Sequence, residues 1–251
     1  MIKGIIFDLD NTLADYIAMK TTASDAALSA MIGAGLEIEK KKAKEILYDL
    51  YDAFSIEDNT IFQKFLLKVS GEIDYKILTK AIVAYRRMRE GYLEPYPFVS
   101  ETLLKLKVAG LKLAVLSDAP KLKCWIRLAA LNITDFFDIV VAYDDTQTHK
   151  PASLPFEVAL ARMGLKPEEV LMVGDNRERD VLGAKKVGIK TVHAAYGIPV
   201  NPTKKYSYGS KDIKADYSID SFKELLEVPE VRMCVSQAGM DDYVYETQKF
   251  L

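Results

Sequence analysis

From about residue 100 onward, helical stretches alternate with short apolar strands, and this alternation limits the possible folds more than any other feature. Helix-then-strand units are SETLLKLKVAG with LKLAVLSD, FEVALARMGLKPEE with VLMVGD, and VLGAKKVG with IKTVHAA. Two further strands are predicted in ITDFFDIVVAYD and ADYSID, so five strands follow a first strand at residues 2–7. Parallel neighbours need a crossover, which a helix supplies. The pattern therefore predicts an α/β fold with a doubly wound parallel sheet and helices on both faces.

Residues 15–96 interrupt this alternation, because they show helical periodicity alone. The apolar spacing predicts helices at about 16–34, 39–54, 59–70 and 74–91. We predict that residues 15–96 form an all-helical cap domain that closes over the site. The core would then comprise residues 1–14 and 97–228, and residues 229–251 would be a C-terminal extension of unknown role.

The charge balance and the cysteines limit the partners and the compartment. Lysine and arginine total 34 against 36 acidic residues, and the net charge of -2 gives no broad attraction to nucleic acid or to an anionic membrane. Cys124 and Cys234 lie far apart without metal-type spacing, which fits a reducing compartment. The first strand leaves no room for a signal peptide, and no apolar run approaches the ~20 residues that span a bilayer. We expect a cytoplasmic monomer or homodimer whose partner is a small molecule.

Polar side chains follow four of the predicted strands, and they should meet because the carboxyl ends of parallel strands lie at one edge of the sheet. They are Asp8, Asp10 and Thr12 after the first strand, Ser117 and Asp118 after the second, Lys150 after the third, and Asp175 and Asp180 after the fourth. Converging carboxylates need a cation, and an oxygen-only set without histidine or thiolate suits Mg²⁺. Magnesium in turn implies phosphate, whose remaining oxygens a hydroxyl, backbone N–H groups and an ammonium can bind.

Four motifs of this chain, in their order and spacing, resemble those of the haloacid dehalogenase superfamily of phosphotransferases. They are DLDNT, LAVLSDA, THKP and GDNRERD. The similarity is strongest to phosphatase-type members whose helical cap is inserted between the first and second motifs, and it covers about residues 1–226. It implies a Rossmann-like core, Mg²⁺ as the cofactor, and hydrolysis of a small phosphorylated metabolite through an aspartyl-phosphate intermediate.

The resemblance implies catalytic roles for three residues. Asp8 would attack phosphorus, Asp10 would protonate the leaving oxygen and later deprotonate water, and Lys150 would steady Asp8 and the phosphoryl group. A carboxylate nucleophile divides a difficult hydrolysis into two easier steps, which agrees with this assignment. Asp10 also argues against halide as the leaving group, because halide departs without a proton.

The resemblance likewise implies a metal site and a set of substrate contacts. Asp8, Asp175 and the backbone carbonyl of Asp10 would bind Mg²⁺, while Asp180 and Asn176 would stand behind them and orient Lys150 or water. Substrate contacts are expected from four residues: Thr12, Tyr16, Ser117 and Asp118.

This chain departs from the common family pattern at two positions. Asp118 occupies a position where many relatives have asparagine, which leaves its role uncertain, and Phe98 stands where glycine is common.

Two rival functions stay open. A phosphomutase or other phosphotransferase would use the same residues, and a non-catalytic receiver-like phosphoacceptor would also gather acidic residues and a lysine around Mg²⁺. The histidines His149 and His193 are expected to be loop or strand-end residues rather than bases.

The charged run AYRRMREGY contains three arginines that could reach an anionic substrate: Arg86, Arg87 and Arg89. A solvated helix face is the interpretation that we favour for them.

Overall fold

The computed structural model describes residues 1–197 and 209–238, which divide into two compact units. One unit contains Tyr16–Leu93, and we call it the helical unit. The other contains Met1–Asp15 together with residues 94–197 and 209–238, and we call it the core unit. Within these described residues, no helix is both long enough and apolar enough to cross a bilayer.

The helical unit is built from α-helices, as the periodicity of its sequence predicts. They are α1 (Tyr16–Gly33), α2 (Lys40–Ala53), α3 (Ile61–Ser70) and α4 (Tyr75–Tyr92). Their apolar faces enclose a common core that includes Leu47 and Phe65. α4 follows Asp74, whose carboxylate accepts hydrogen bonds from the backbone N–H groups of Lys76 and Ile77. Because the first turn of a helix leaves such N–H groups without intrahelical partners, Asp74 determines where α4 begins.

The core unit contains one parallel sheet, so the predicted α/β fold with a doubly wound core and an all-helical insert is confirmed. Its strands are β1 (Gly4–Phe7), β2 (Lys112–Leu116), β3 (Ile139–Val141), β4 (Val170–Gly174), β5 (Lys190–Ala194) and β6 (Tyr217–Ile219). They lie in the order β3-β2-β1-β4-β5-β6, and every neighbouring pair is parallel. All residues of β1 and β4 are buried, as expected for central strands covered on both faces.

The strand order places a topological switch point beside β1. The chain adds β2 and β3 on one side of β1 and then returns to place β4 on the other side. At the carboxyl end of β1, Phe7 lies in register with Val115 of β2 and Val173 of β4. Ligands of doubly wound sheets bind in the crevice beyond this end of the strands, so the residues after β1, β2 and β4 face the expected site.

Helices cover the sheet of the core unit. They are α5 (Val99–Val108), α6 (Lys121–Ala130), α7 (Tyr143–Thr146), α8 (Ser153–Met163), α9 (Gly183–Lys186) and α10 (Pro229–Gln237), with a π-helical turn at Arg177–Leu182. α8 buries Phe156, Ala159 and Met163 in a cluster with sheet residues such as Ile6. Elsewhere in the core, the rings of Phe7 and Phe222 pack 5.8 Å apart.

Two features that the sequence left without an explanation have a structural role. Phe98, which precedes α5, has a φ of 70°, a left-handed conformation that glycine adopts without strain. α10 forms the first part of the predicted C-terminal extension and packs against α5, with Val231 and Cys234 buried. The remainder of that extension, residues 239–251, lies outside the described residues.

Candidate active site

The loop after β1 is held in one conformation by backbone contacts. The N–H of Asp8 donates to the carbonyl of Val173 at the end of β4, with a distance of 2.9 Å. Asn11 has a φ of 62°, and its N–H donates to the carbonyl of Ala14 at 2.7 Å. Asparagine tolerates this left-handed conformation better than most residues, so the chain can turn sharply directly after its two carboxylates.

Lys150 lies at the centre of the site, and its ammonium is fully engaged. Its Nζ lies 2.6 Å from Asp8 Oδ1, 2.6 Å from Asp180 Oδ1 and 3.1 Å from the carbonyl oxygen of Leu116. These three contacts use all three N–H donors of an ammonium group. Burial alone would lower the pKa of Lys150, but the charges of Asp180 and Asp8 outweigh it and raise the pKa. Lys150 is therefore a fixed positive charge beside Asp8.

Asp175 presents a different environment, because neither of its buried carboxylate oxygens has a hydrogen-bond partner among the described residues. Burial, followed by the charges of Asp8 and Asp180, raises the pKa of Asp175 well above its usual value. Carboxylate oxygens of Asp8, Asp175 and Asp180 lie within 4.8 Å of one another. A hard divalent cation at this point would satisfy the orphaned oxygens and offset the repulsion, so the donor set fits Mg²⁺.

Thr12 connects the loops after β1 and β4. Its hydroxyl lies 3.4 Å from Asp8 Oδ2, and it accepts a hydrogen bond from the N–H of Asp175 at 3.1 Å. The Thr12 side chain is fully buried. It therefore fixes the spacing between the two carboxylate-bearing loops, a structural task in addition to the substrate contact predicted from the sequence.

Asp180 is held so that it faces Lys150. Its second oxygen, Oδ2, accepts a hydrogen bond from the N–H of Asn176 at 3.0 Å, and the Asn176 side chain accepts from the N–H groups of Glu178 and Arg179 at the start of the π-helical turn. Gly174 makes this packing possible, because a Cβ there would overlap the Asp180 carboxylate. Burial raises the pKa of Asp180 to about 6, although Lys150 opposes the shift.

Asp10 pairs with an arginine that the sequence interpretation missed. Arg127 Nη1 lies 2.7 Å from Asp10 Oδ2, and the Arg127 side chain is only 8% exposed. Arg127 is located on α6 between inward-facing apolar residues. A charged residue on the apolar face of KLKCWIRLAA was the available signal, but its partner could not be identified without the fold.

The residues after β2 support the lysine. The Ser117 hydroxyl is buried and accepts a hydrogen bond from the N–H of Ala119 at 3.2 Å. Asp118 Oδ1 accepts from the backbone N–H of Lys150 at 2.9 Å, and its Oδ2 lies 3.5 Å from Arg179. Asp118 thus holds the loop that carries Lys150, and its proximity to the Arg179 guanidinium gives a physical reason for an acidic residue at this position.

Of the predicted site residues, Tyr16 is the one that belongs to the helical unit rather than the core unit. It is the first residue of α1, it is buried, and its hydroxyl donates to Glu57 at 2.9 Å.

The histidines differ in their environments. His149 is exposed and its ring stacks on Tyr143. His193 is fully buried at the end of β5, and its Nε2 lies 3.0 Å from the carbonyl oxygen of Asp175. Arg177 approaches the other ring nitrogen, Nδ1, at 3.3 Å. Because arginine only donates, Nδ1 accepts and Nε2 carries the proton that binds the Asp175 carbonyl.

Comparisons with known proteins find relatives over most of the chain. The family model described as haloacid dehalogenase-like hydrolase matches residues 5–194. A glyceraldehyde 3-phosphate phosphatase of Methanocaldococcus jannaschii is 37% identical over 228 residues, which cover 91% of this chain and 97% of that protein. A phosphatase of the same name from Pyrococcus furiosus is 34% identical and covers 91% of this chain and 93% of its own length. The crystal structure of a HAD phosphatase from Thermococcus onnurineus has a TM-score of 0.63 at 26% identity, with 90% of this chain and 97% of that chain covered.

Proposed function

The chain belongs to the haloacid dehalogenase-like hydrolases and is a phosphoric monoester hydrolase of that family, and on this premise we propose that it is a magnesium-dependent phosphatase acting through an aspartyl-phosphate on Asp8. The observation that carries the proposal is the orphaned carboxylate of Asp175, which lies beside the Asp8–Lys150 ion pair. A buried carboxylate without a partner is unfavourable in the free protein, so its place in this cluster indicates a cation that joins it during function.

In the first step, Asp8 attacks phosphorus and the bond from phosphorus to the substrate oxygen breaks. Lys150 balances the charge on Asp8 and on the phosphoryl group, and its own position is fixed by Asp180 and by the carbonyl of Leu116. The Ser117 hydroxyl is located beyond the end of β2, where it can bind a phosphoryl oxygen. Because these groups are held in place before the substrate arrives, little reorganisation is needed in the transition state.

Asp10 handles the protons in both steps. It gives a proton to the departing alcohol in the first step and takes one from water in the second, when water attacks the phosphorus of the aspartyl-phosphate and Asp8 is released. The Asp10 side chain is partly exposed, at 21%, so it can exchange protons with the leaving group and with water.

Asp8, Asp175 and the backbone carbonyl of Asp10 are the proposed ligands of Mg²⁺. When bound, the ion supplies positive charge that stabilises the transferring phosphoryl group. Asp180 has both oxygens engaged by Lys150 and by the N–H of Asn176, so we assign it to positioning Lys150 rather than to the metal.

For the substrate, we propose glyceraldehyde 3-phosphate or a phosphorylated metabolite of similar size. The support is the name shared by the two relatives reported above, which match this chain over nearly its whole length. Release of inorganic phosphate from glyceraldehyde 3-phosphate should require Mg²⁺ and should be at least about 10³-fold faster than with the Asp8→Asn variant, because the variant lacks the nucleophile.

The test compares three proteins at saturating Mg²⁺ and in EDTA: the wild type, Asp8→Asn and Asp135→Asn. Asp135 is exposed and makes a matched control for the loss of one carboxylate. Phosphate that appears on a sugar acceptor instead of in solution would identify a phosphotransferase. A stable phosphorylated Asp8 without turnover would identify a phosphoacceptor module, and either result would overturn the proposal.

A further inference from the structure

A buried arginine contacts the proposed acid of the site across a long sequence separation. Arg127 Nη1 lies 2.7 Å from Asp10 Oδ2, a short charge-assisted hydrogen bond between residues 117 positions apart. Only 8% of the Arg127 side chain is exposed. Burial of a guanidinium is unfavourable unless it is paired, and an apolar residue would fill the same space without that cost. The arginine at this position therefore needs a reason beyond packing.

The packing of α6 aims Arg127 at Asp10. Cys124 and Leu128, which precede and follow Arg127 on the inner face of the helix, are fully buried. The thiol of Cys124 lies 3.6 Å from the carbonyl oxygen of Ala119, which attaches the helix to the loop after β2. These contacts identify the inner face of α6, and Arg127 projects from that buried face toward Asp10.

The carboxylate of Asp10 needs an external contact to fix its orientation. Its backbone is held by a bridge to Ala14 and by the turn at Asn11. The last torsion of an aspartate is broad, however, so a fixed backbone does not determine the plane of the carboxylate. A guanidinium that donates a hydrogen bond to Oδ2 restricts the plane of the Asp10 carboxylate, and therefore the direction in which Oδ1 points.

From these contacts we propose that Arg127 is a positioning residue, which orients the Asp10 carboxylate toward the bridging oxygen of the substrate. The inference rests on the proposed function. As an Asp8 oxygen forms its bond to phosphorus, the electron pair of the breaking bond passes to the bridging oxygen, and the proton held by Asp10 moves to that oxygen. A proton donor must be within hydrogen-bond reach of its acceptor, and a misplacement of 1 Å can reduce the rate about 10²-fold.

The experiment uses two substrates that differ in their need for a proton. Glyceraldehyde 3-phosphate releases an alcohol, which is a poor leaving group as its anion, whereas p-nitrophenyl phosphate releases a stabilised phenolate. kcat/KM reports the steps up to the loss of the leaving group, so it isolates the first transfer. For Arg127→Ala we expect kcat/KM to fall about 10²-fold with glyceraldehyde 3-phosphate and less than about 3-fold with p-nitrophenyl phosphate. Arg127→Lys, which keeps the charge but loses the planar fork, should recover part of the loss.

Arg162→Ala is the matched control. Arg162 also lies 2.7 Å from a carboxylate oxygen, that of Asp145, but neither residue belongs to the proposed site. We expect this variant to keep both values of kcat/KM. In the Asp10→Asn background, the additional Arg127→Ala change should cause no further loss with glyceraldehyde 3-phosphate, because the two residues act in series.

Equal losses on both substrates, or no loss on either, would overturn the inference while leaving the phosphatase proposal intact. Absence of Mg²⁺-dependent turnover by the wild type would instead remove the proposed function. If Arg127→Ala does not fold, Arg127→Lys and Arg127→Gln provide the same comparison between substrates. A crystal structure of a folded variant gives a readout that does not depend on activity: we expect the Asp10 carboxylate to be rotated, and an unchanged carboxylate would contradict the positioning role.

Discussion

Asp175→Asn should make the metal-free protein more stable and should remove its response to Mg²⁺. In the wild type both Asp175 oxygens are buried without a partner among the described residues, and Asp8 and Asp180 add repulsion. An unsatisfied buried polar group costs about 1–3 kcal/mol, and a charged one costs more. Asparagine removes the charge but still needs partners, so we expect a net gain of about 1–2 kcal/mol. For a chain of this size, that corresponds to a rise in Tm of about 2–8 °C.

Differential scanning calorimetry in EDTA and in excess Mg²⁺ provides the assay. A ligand at 100 times its dissociation constant stabilises a protein by about 2.7 kcal/mol, so the wild type should gain in Tm when Mg²⁺ is added. The variant should not, and the order of stability of the two proteins should reverse between the two conditions. A variant that is less stable than the wild type in EDTA would refute the reasoning, because it would mean that the Asp175 carboxylate makes stabilising contacts in the metal-free protein.

The pH dependence gives a second check on the same residue. The pKa of Asp175 is raised in the folded protein, so the folded state binds more protons than the unfolded state above the unfolded value of ~3.9. The metal-free wild type should therefore lose stability as the pH rises from about 4 through the raised pKa. Asp175→Asn should lose less over the same range, and Asp135→Asn should follow the wild type.

Three further changes test other contacts. Lys150→Met should abolish activity and lower the free energy of unfolding by about 3–5 kcal/mol, because Asp8 and Asp180 lose their buried partner. Urea denaturation measures this loss of stability. A variant as stable as the wild type would contradict the prediction. Gly174→Ala should displace the Asp180 carboxylate and reduce kcat more than KM, and normal kinetics would mean that the loop can shift without consequence. Asp74→Ala should cost about 1 kcal/mol through the lost helix cap in α4, with the specific activity of the folded enzyme unchanged.

The sheet could be predicted from sequence because each strand is a short apolar run bounded by turn residues and followed by a helix. The residues after those strands were predictable for the same reason, since parallel strands bring their carboxyl ends together whatever their order. The order β3-β2-β1-β4-β5-β6 is a different matter, because it depends on the side of the sheet to which each crossover returns. No local sequence pattern indicates the side to which a crossover returns.

Contacts between distant elements account for what was missed. Arg127 is separated from Asp10 by the whole helical insert, and its role depends on the rotation of α6 about its axis. The role of Asp118 could not be predicted because its partners are the backbone N–H of Lys150 and the distant Arg179, and neither contact follows from a local sequence pattern. Phe98 stands where glycine is common in the family pattern, and its left-handed backbone conformation is the one that glycine adopts without strain.

The saturated environment of Lys150 has a consequence for a phosphatase whose proposed substrate is an aldehyde. Amines condense with aldehydes only through a free lone pair, and a lysine close to a reactive carbonyl is at risk of forming an imine. The Lys150 ammonium donates to three oxygens, and its raised pKa keeps it protonated. The Lys150 amine therefore has no free lone pair with which to form an imine with the proposed aldehyde substrate.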